Sequence, residues 1–216
     1  YRALIPIVIG GMALFVGLDW WRKARWGTRV EGAPDGEATE PRLSRNERWQ
    51  HVGLILTFAA LAYSGFALKG HDAWWGAPFQ WMGGEPARRW MHRGAAIGFA
   101  AVAGWHLAYL VLSARGRRWL AAVRPRSEDA RDALVLAAFN VGAAPASPSP
   151  RHPSFVGKSE YLSLVWGSVI MVVTGAALAA APLAMQLLPA WALDLARLVH
   201  FYEAGLACLA ILVGHG

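Results

Sequence analysis

The sequence predicts an all-α membrane protein: a four-helix transmembrane bundle plus one extra N-terminal transmembrane helix. Three observations lead there. First, 56% of the 216 residues are hydrophobic and only 16% are charged, where soluble chains run nearer about a quarter charged. Second, the charges are missing from long stretches. Ala3–Leu18, Val52–Leu68, Gly94–Ala114 and Tyr161–Leu193 hold no Asp, Glu, Lys or Arg, and Leu198–Gly216 holds only Glu203. A hydrocarbon layer about 30 Å thick takes ~20 helical residues to cross. Third, Lys and Arg collect in two of the segments between those runs, the asymmetry that orients helices in a membrane. A soluble globular domain, a disordered chain and a disulfide-stapled secreted module are excluded.

The elements follow in order. The extra N-terminal helix, 1–21, ends at Asp19, Trp20 and Trp21, and a polar linker, 22–48, carries Pro34 and Pro41. The bundle occupies 49–216. Its first helix runs from Trp49 to about Leu68, and a Gly- and Trp-rich loop, 69–89, leads to the next, about Arg88 to Ala114. Loop 115–158 comes after. Its Ala143–Pro153 part, with Pro145, Pro148, Pro150 and Pro153, cannot be regular helix. Ser127–Asn140 fits a short amphipathic helix with Glu128 and Asp129 near its positive N-terminal end. The run 161–193 is too long for one straight crossing. Pro182 and Pro189 divide it into a span at about 159–181, a short turn at 182–190, and a last span from about 191.

Charge sets the sidedness. Linker 22–48 holds Arg22, Lys23, Arg25, Arg29, Arg42, Arg45 and Arg48, and loop 115–158 holds Arg115, Arg117, Arg118, Arg124, Arg126, Arg131, Arg151 and Lys158. Loop 69–89 holds Lys69, Arg88 and Arg89, and the turn 182–190 holds neither Lys nor Arg. Five alternating spans put both basic segments on one side, expected to be cytoplasmic, with the N-terminus outside. That order also argues against a cleaved signal peptide, whose positive charge would precede its apolar run. Tryptophans mark two belts: Trp20, Trp21, Trp26, Trp49 and Trp119 inside, Trp74, Trp75, Trp81, Trp90 and Trp191 outside. The net charge of +7 is thus read as orientation in lipid, and no nucleic-acid partner is expected. The chain stops one residue past a histidine inside an apolar run, and the full protein is expected to extend at both ends.

The histidines carry the chemistry. Five of the seven, His51, His92, His106, His200 and His215, lie in or at the mouth of spans, where an ionisable residue is a functional candidate by default. His92 and His106 are 14 apart in one span, His200 and His215 are 15 apart in the last. At ~100° per residue these steps return to about −40° and +60°, so each pair points broadly one way, ~21–22 Å apart along the axis. The two helices run in the same direction, so His92 matches His200 in depth near the outer face and His106 matches His215 near the inner face. Two imidazoles facing each other at two levels can supply the axial ligands of two b-type haems, the reading preferred over unrelated buried histidines, and the expected bundle is then a haem-binding one. No C-x-x-C-H is present, so the haems are expected to be non-covalent.

Neighbouring residues fill in the picture. His51 follows Arg48-Trp49-Gln50 at the inner mouth of its span. It stands as an alternative inner ligand to His106, or as a contact for a propionate or a quinone. The favoured inner pair is His106 with His215, because His106 sits deeper in its span. Arg48, Arg93 and Lys158 lie at membrane edges where propionates emerge, and snorkelling explains them equally well. Glu203, three residues past His200, fits either a proton carrier or a structural hydrogen bond. Gly94, Gly98, Gly104, Gly167, Gly175, Gly205 and Ala207 would let a haem approach backbone, although ordinary helix packing explains small residues alone better. The single cysteine, Cys208, is read as a packed thiol, and His71 and His152 as surface residues.

Several of these segments together resemble one family. They are Arg48-Trp49-Gln50-His51, Met91-His92-Arg93, His106-Leu107-Ala108-Tyr109-Leu110, Lys158-Ser159-Glu160-Tyr161, Val165-Trp166-Gly167, Met171-Val172-Val173-Thr174-Gly175 and His200-Phe201-Tyr202-Glu203-Ala204 with His215. They resemble the di-haem cytochrome b membrane subunit of formate dehydrogenases, thiosulfate reductases and related cytochrome b/b6-like complexes, over about 45–216. The resemblance implies a multi-pass subunit of the bacterial cytoplasmic membrane. Such a subunit passes electrons between the quinone pool and an extracytoplasmic redox partner, a multihaem c-type cytochrome or an iron–sulfur protein. It would be the electron-transfer part of an oxidoreductase complex and no complete enzyme. Within the family the inner ligand corresponds to His51 in some members, while in others the span of His92 supplies both. The extra helix 1–21 departs from the pattern. Two other classes compete: a haem-free membrane anchor, which the intact 14 and 15 spacings oppose, and a histidine-relay transporter, which should show repeated halves or broken helices.

Overall fold

The computed structural model describes residues 4–26, 43–70, 73–145 and 153–214. Among them the chain is all helix, with no strand. Among the described residues four helices are long and apolar enough to cross a membrane: α2 (Arg45–Lys69), α4 (Glu85–Leu112), α7 (Phe155–Ala179) and α9, whose Ala190–Leu212 part qualifies within Ala190–Gly214. Their apolar side chains are largely unburied, with Ile97 73%, Trp166 67% and Val173 62% exposed. Rows of exposed large apolar residues suit lipid and not water. The other helices are α1 (Leu4–Trp26), α3 (Ala77–Trp81), α5 (Ala114–Ala122), α6 (Ser127–Asn140) and α8 (Ala181–Leu187). The chain divides into two compact units, Ala38–Arg117 and Tyr1–Glu37 with Arg118–Gly216.

In the unit Ala38–Arg117, α2 begins four residues before Trp49 because Ser44 caps it. The Ser44 hydroxyl accepts the Glu47 N–H at 3.3 Å, and the Glu47 carboxylate accepts the Ser44 N–H at 2.6 Å. This reciprocal capping box satisfies two otherwise unpaired donors. The same carboxylate takes the Tyr109 hydroxyl at 2.8 Å and Arg115 Nε at 3.1 Å, tying the start of α2 to the end of α4. Along their length α2 and α4 approach through glycine: a Cβ on Gly98 would stand 3.1 Å from Thr57 Cγ2. At the other end, Tyr63 stacks on Phe79 with ring centres 5.1 Å apart and donates to the Trp75 carbonyl at 2.9 Å. This folds α3 back onto α2. Helix α4 stops at Ser113, whose hydroxyl accepts the Gly116 N–H at 2.8 Å and so starts α5. Only glycine fits at 116, because a Cβ would run into the Tyr109 carbonyl and the Leu110 Cα.

In the other unit, α7 packs on α9, α1 packs on α9, and α6 lies against α1 and α7. The predicted helix 127–140 is α6 over the same residues. It is held from two sides. Lys158 Nζ donates to Asp129 Oδ1 at 2.8 Å and Oδ2 at 3.0 Å, both residues buried, and the Arg22 guanidinium lies 4.4 Å over the Phe139 ring. The predicted turn 182–190 is mostly the short helix α8. Pro182 sits in its first turn, where the missing N–H costs no helical hydrogen bond; α7 has already ended at Ala179. Of the linker 22–48, residues 27–42 lie outside the described residues.

Candidate functional site

Each described in-span histidine of α4 and α9 leans on a polar side chain of the neighbouring helix. In the unit Ala38–Arg117, His92 Nδ1 lies 2.9 Å from Ser64 Oγ and His106 Nδ1 lies 2.7 Å from Gln50 Oε1, both partners on α2. In the other unit, His200 Nδ1 lies 2.9 Å from Thr174 Oγ1 on α7. His92 and His106 thus face the same neighbour, as the 14-residue step predicts.

The partners decide where the imidazole proton sits. Ser64 Oγ lies 2.6 Å from the Ala60 carbonyl oxygen, and Thr174 Oγ1 lies 2.7 Å from that of Ile170. A carbonyl only accepts, and two oxygens that close repel unless a proton lies between them. Each hydroxyl has therefore given its one proton to its own helix, and its oxygen receives the histidine Nδ1–H. Gln50 donates through Nε2 to Asn46 Oδ1 at 2.7 Å, which turns Oε1 to His106. That oxygen accepts too. All three rings are held as the Nδ1–H tautomer, which places the ring lone pair on Nε2.

Glycine completes two of these cradles. A Cβ on Gly65 would stand 3.5 Å from His92 Cε1, and one on Gly175 would stand 3.1 Å from His200 Cε1. The backbone of α2 and of α7 thus forms a floor under each ring. The cradles are alike: Ser64-Gly65 with His92, 28 residues after Ser64, and Thr174-Gly175 with His200, 26 after Thr174. Next to the first, Arg88 Nη1 donates to the Ser64 carbonyl at 2.9 Å while its Nε and Nη2 grip both oxygens of Glu85 at 2.6 and 2.7 Å. Arg88 is buried, so this fork fixes the entry of α4 against the end of α2.

This donor set fits an axial haem ligand. Iron takes imidazole through one ring nitrogen while the other donates to a polar group that orients the ring. Among the described residues no three of His, Cys, Asp and Glu gather as a metal cluster.

The remaining expected site residues fall as follows. His215 lies outside the described residues, as do His71 and His152. His51 is exposed on α2, next to buried Gln50. Arg48 is exposed and donates from Nε to the Leu43 carbonyl at 3.2 Å, and Arg93 is exposed on α4. Lys158, read either as a propionate contact or as a snorkelling cation, donates its ammonium to Asp129 inside the protein. Glu203 is half-buried on α9, with Oε1 3.0 Å from the place a Cβ on Gly167 would take. Small residue and carboxylate meet there.

The sequence reading passed over Ser64 and Gln50 as carriers of function, and over Arg88. A legible signal existed for the cradles: a hydroxyl residue followed by glycine, one helix before a histidine, occurs once in each unit. No family model, curated protein or solved structure matches the chain.

Proposed function

We propose that the chain is the di-haem cytochrome b subunit of a membrane oxidoreductase complex, of the kind found with formate dehydrogenases and thiosulfate reductases. In this reading it passes electrons between an extracytoplasmic redox partner and the quinone pool, through two b haems ligated by His92 with His200 and by His106 with His215. The observation that carries it is a shared placement: Nδ1 of three in-span histidines lies 2.7–2.9 Å from a side-chain oxygen on a neighbouring helix, which favours one common tautomer. Lone histidines placed for helix packing have no need of one common tautomer; axial ligands do. The protein's part is to fix ring orientation, keep water from the metal and hold each macrocycle between helices.

The proposal extends to topology. Helix α1 would be the extra transmembrane helix, with the N-terminus outside the bacterial cytoplasmic membrane and the basic segments inside. The partner, a multihaem c-type cytochrome or an iron–sulfur protein, would dock near 69–89 and 182–190. His51, with Arg48, would face the quinone.

A reduced-minus-oxidised optical spectrum with an iron count on the purified protein tests this. Two haems per chain, extractable with acid–acetone, are expected. Absence of b-type absorbance would sink the proposal.

A further inference from the structure

The cradles of the three histidines are unequal, and the inequality has an electronic consequence. His92 and His200 each donate to a hydroxyl oxygen at 2.9 Å. His106 donates to a carboxamide oxygen at 2.7 Å. An amide oxygen is a stronger hydrogen-bond acceptor than a hydroxyl oxygen, and the contact to it is the shorter of the two kinds; Ser64 and Thr174 are polarised by their own donations as Gln50 is, so acceptor type and distance make the difference. Gln50 makes its own donation to Asn46 Oδ1 at 2.7 Å. Chains of hydrogen bonds strengthen one another in this way, most where water is excluded, and Gln50 is only 5% exposed. The chain His106–Gln50–Asn46 therefore draws on the Nδ1 proton harder than Ser64 or Thr174 can.

We infer that Gln50 is a positioning residue that lowers the redox potential of the haem held by His106. The inference rests on the di-haem reading above. A stronger pull on Nδ1–H gives the ring more imidazolate character and makes Nε2 a more basic ligand. A more basic ligand favours the more highly charged ferric iron, so the potential falls. Gln50 would act through His106, whose Nδ1 its Oε1 meets at 2.7 Å. With hydroxyl partners on His92 and His200, the two haems become electronically distinct although all their ligands are histidine.

The test is an equilibrium redox titration, followed optically, of the purified full chain with Gln50→Met and Gln50→Glu beside it. Gln50→Met keeps the length and removes the acceptor, and should raise one midpoint potential while leaving the other in place. Gln50→Glu strengthens the acceptor and should lower that same potential. A structural role alone would not move the potential in opposite directions in the two variants. If both variants keep two haems and both potentials stay where they were, the inference is overturned and the di-haem reading stands. Should Gln50→Met lose the haem, Gln50→Glu decides: a lowered potential supports the inference and an unchanged one overturns it. A wild-type protein without haem would overturn both readings.

Discussion

Thr174 accepts the Nδ1–H of His200 at 2.9 Å while giving its own proton to the Ile170 carbonyl at 2.7 Å, so one hydroxyl both completes a helix turn and fixes an imidazole on its neighbour. Ser64 does the same for His92, through the Ala60 carbonyl. The two hairpins α2–α4 and α7–α9 thus solve one chemical problem with one device. Their sequences show it as Ser-Gly and Thr-Gly.

The hydroxyl can be tested by its shape. Thr174→Val keeps the volume and removes this acceptor from the half-buried His200 ring, a loss of about 1 kcal/mol. A lost second partner to a ligating histidine typically costs about 10–100-fold in metal affinity. On the di-haem proposal, haem transfer to a competing apoprotein should be faster for Thr174→Val by that order, and Thr174→Ser should restore the wild-type rate. Equal retention in all three proteins would remove the hydroxyl from the site.

The two glycines under the rings make unequal demands. At Gly65 a Cβ would stand 3.5 Å from His92 Cε1, ordinary contact, whereas at Gly175 it would stand 3.1 Å from His200 Cε1. Alanine is favoured over glycine in a helix by about 0.8–1.0 kcal/mol. Gly65→Ala should therefore be neutral or raise the thermal midpoint. Gly175→Ala must push the His200 ring, and should shift the optical signature of one haem even if the fold stays stable. Matching behaviour of the two variants would contradict the difference in floor height.

Acid should loosen α6. The Lys158 ammonium beside Asp129, and then the Arg126 N–H, hold the Asp129 carboxyl below the usual carboxylate range. A lowered folded-state pKa means that the unfolded chain takes up the proton first as pH falls. The pair's stabilisation is then full above the ordinary carboxylate pKa and is lost as pH drops through the lowered one. On acidification below about pH 4, the thermal midpoint of the wild type should fall further than that of Asp129→Asn. Lys158→Met should be the worse variant at neutral pH, because it strands a carboxylate among buried groups. Parallel pH profiles for wild type and Asp129→Asn would show that the pair holds nothing.

The spans were legible because exclusion of charge from lipid writes itself as uncharged runs such as Val52–Leu68, whose helix is Arg45–Lys69. The start of that helix ahead of the apolar run is written in Ser44 followed three residues later by Glu47. Helix α8 stands where Pro182 and Pro189 predict a turn, because proline at the first turn begins a helix as readily as it ends one. The cradles were hidden for another reason. Ser64 and Thr174 look like minor polar residues in apolar runs, and their meaning depends on how two helices are rotated about their axes. That phase comes from packing at positions such as Gly98 against Thr57, which no single helix records.

The choice between His106 and His51 remains the sharpest test of the site. His106 is half-buried on α4 and is oriented by Gln50, whose side chain is itself fixed by Asn46. His51 follows Gln50 on α2, ~100° further round the helix, and is exposed. An axial ligand needs a ring held in one orientation, and His106 has that support from a buried amide. A quinone or propionate contact needs a reachable ring, and His51 offers one beside exposed Arg48. On the di-haem proposal, His106→Ala is therefore expected to remove one haem. His51→Ala is expected to keep both and to slow quinone-linked turnover. Counting haem by iron and absorbance in the two variants separates the assignments. Loss of a haem from His51→Ala but not from His106→Ala would make the pair His51 with His215, and Gln50 would then be orienting a histidine that binds no metal.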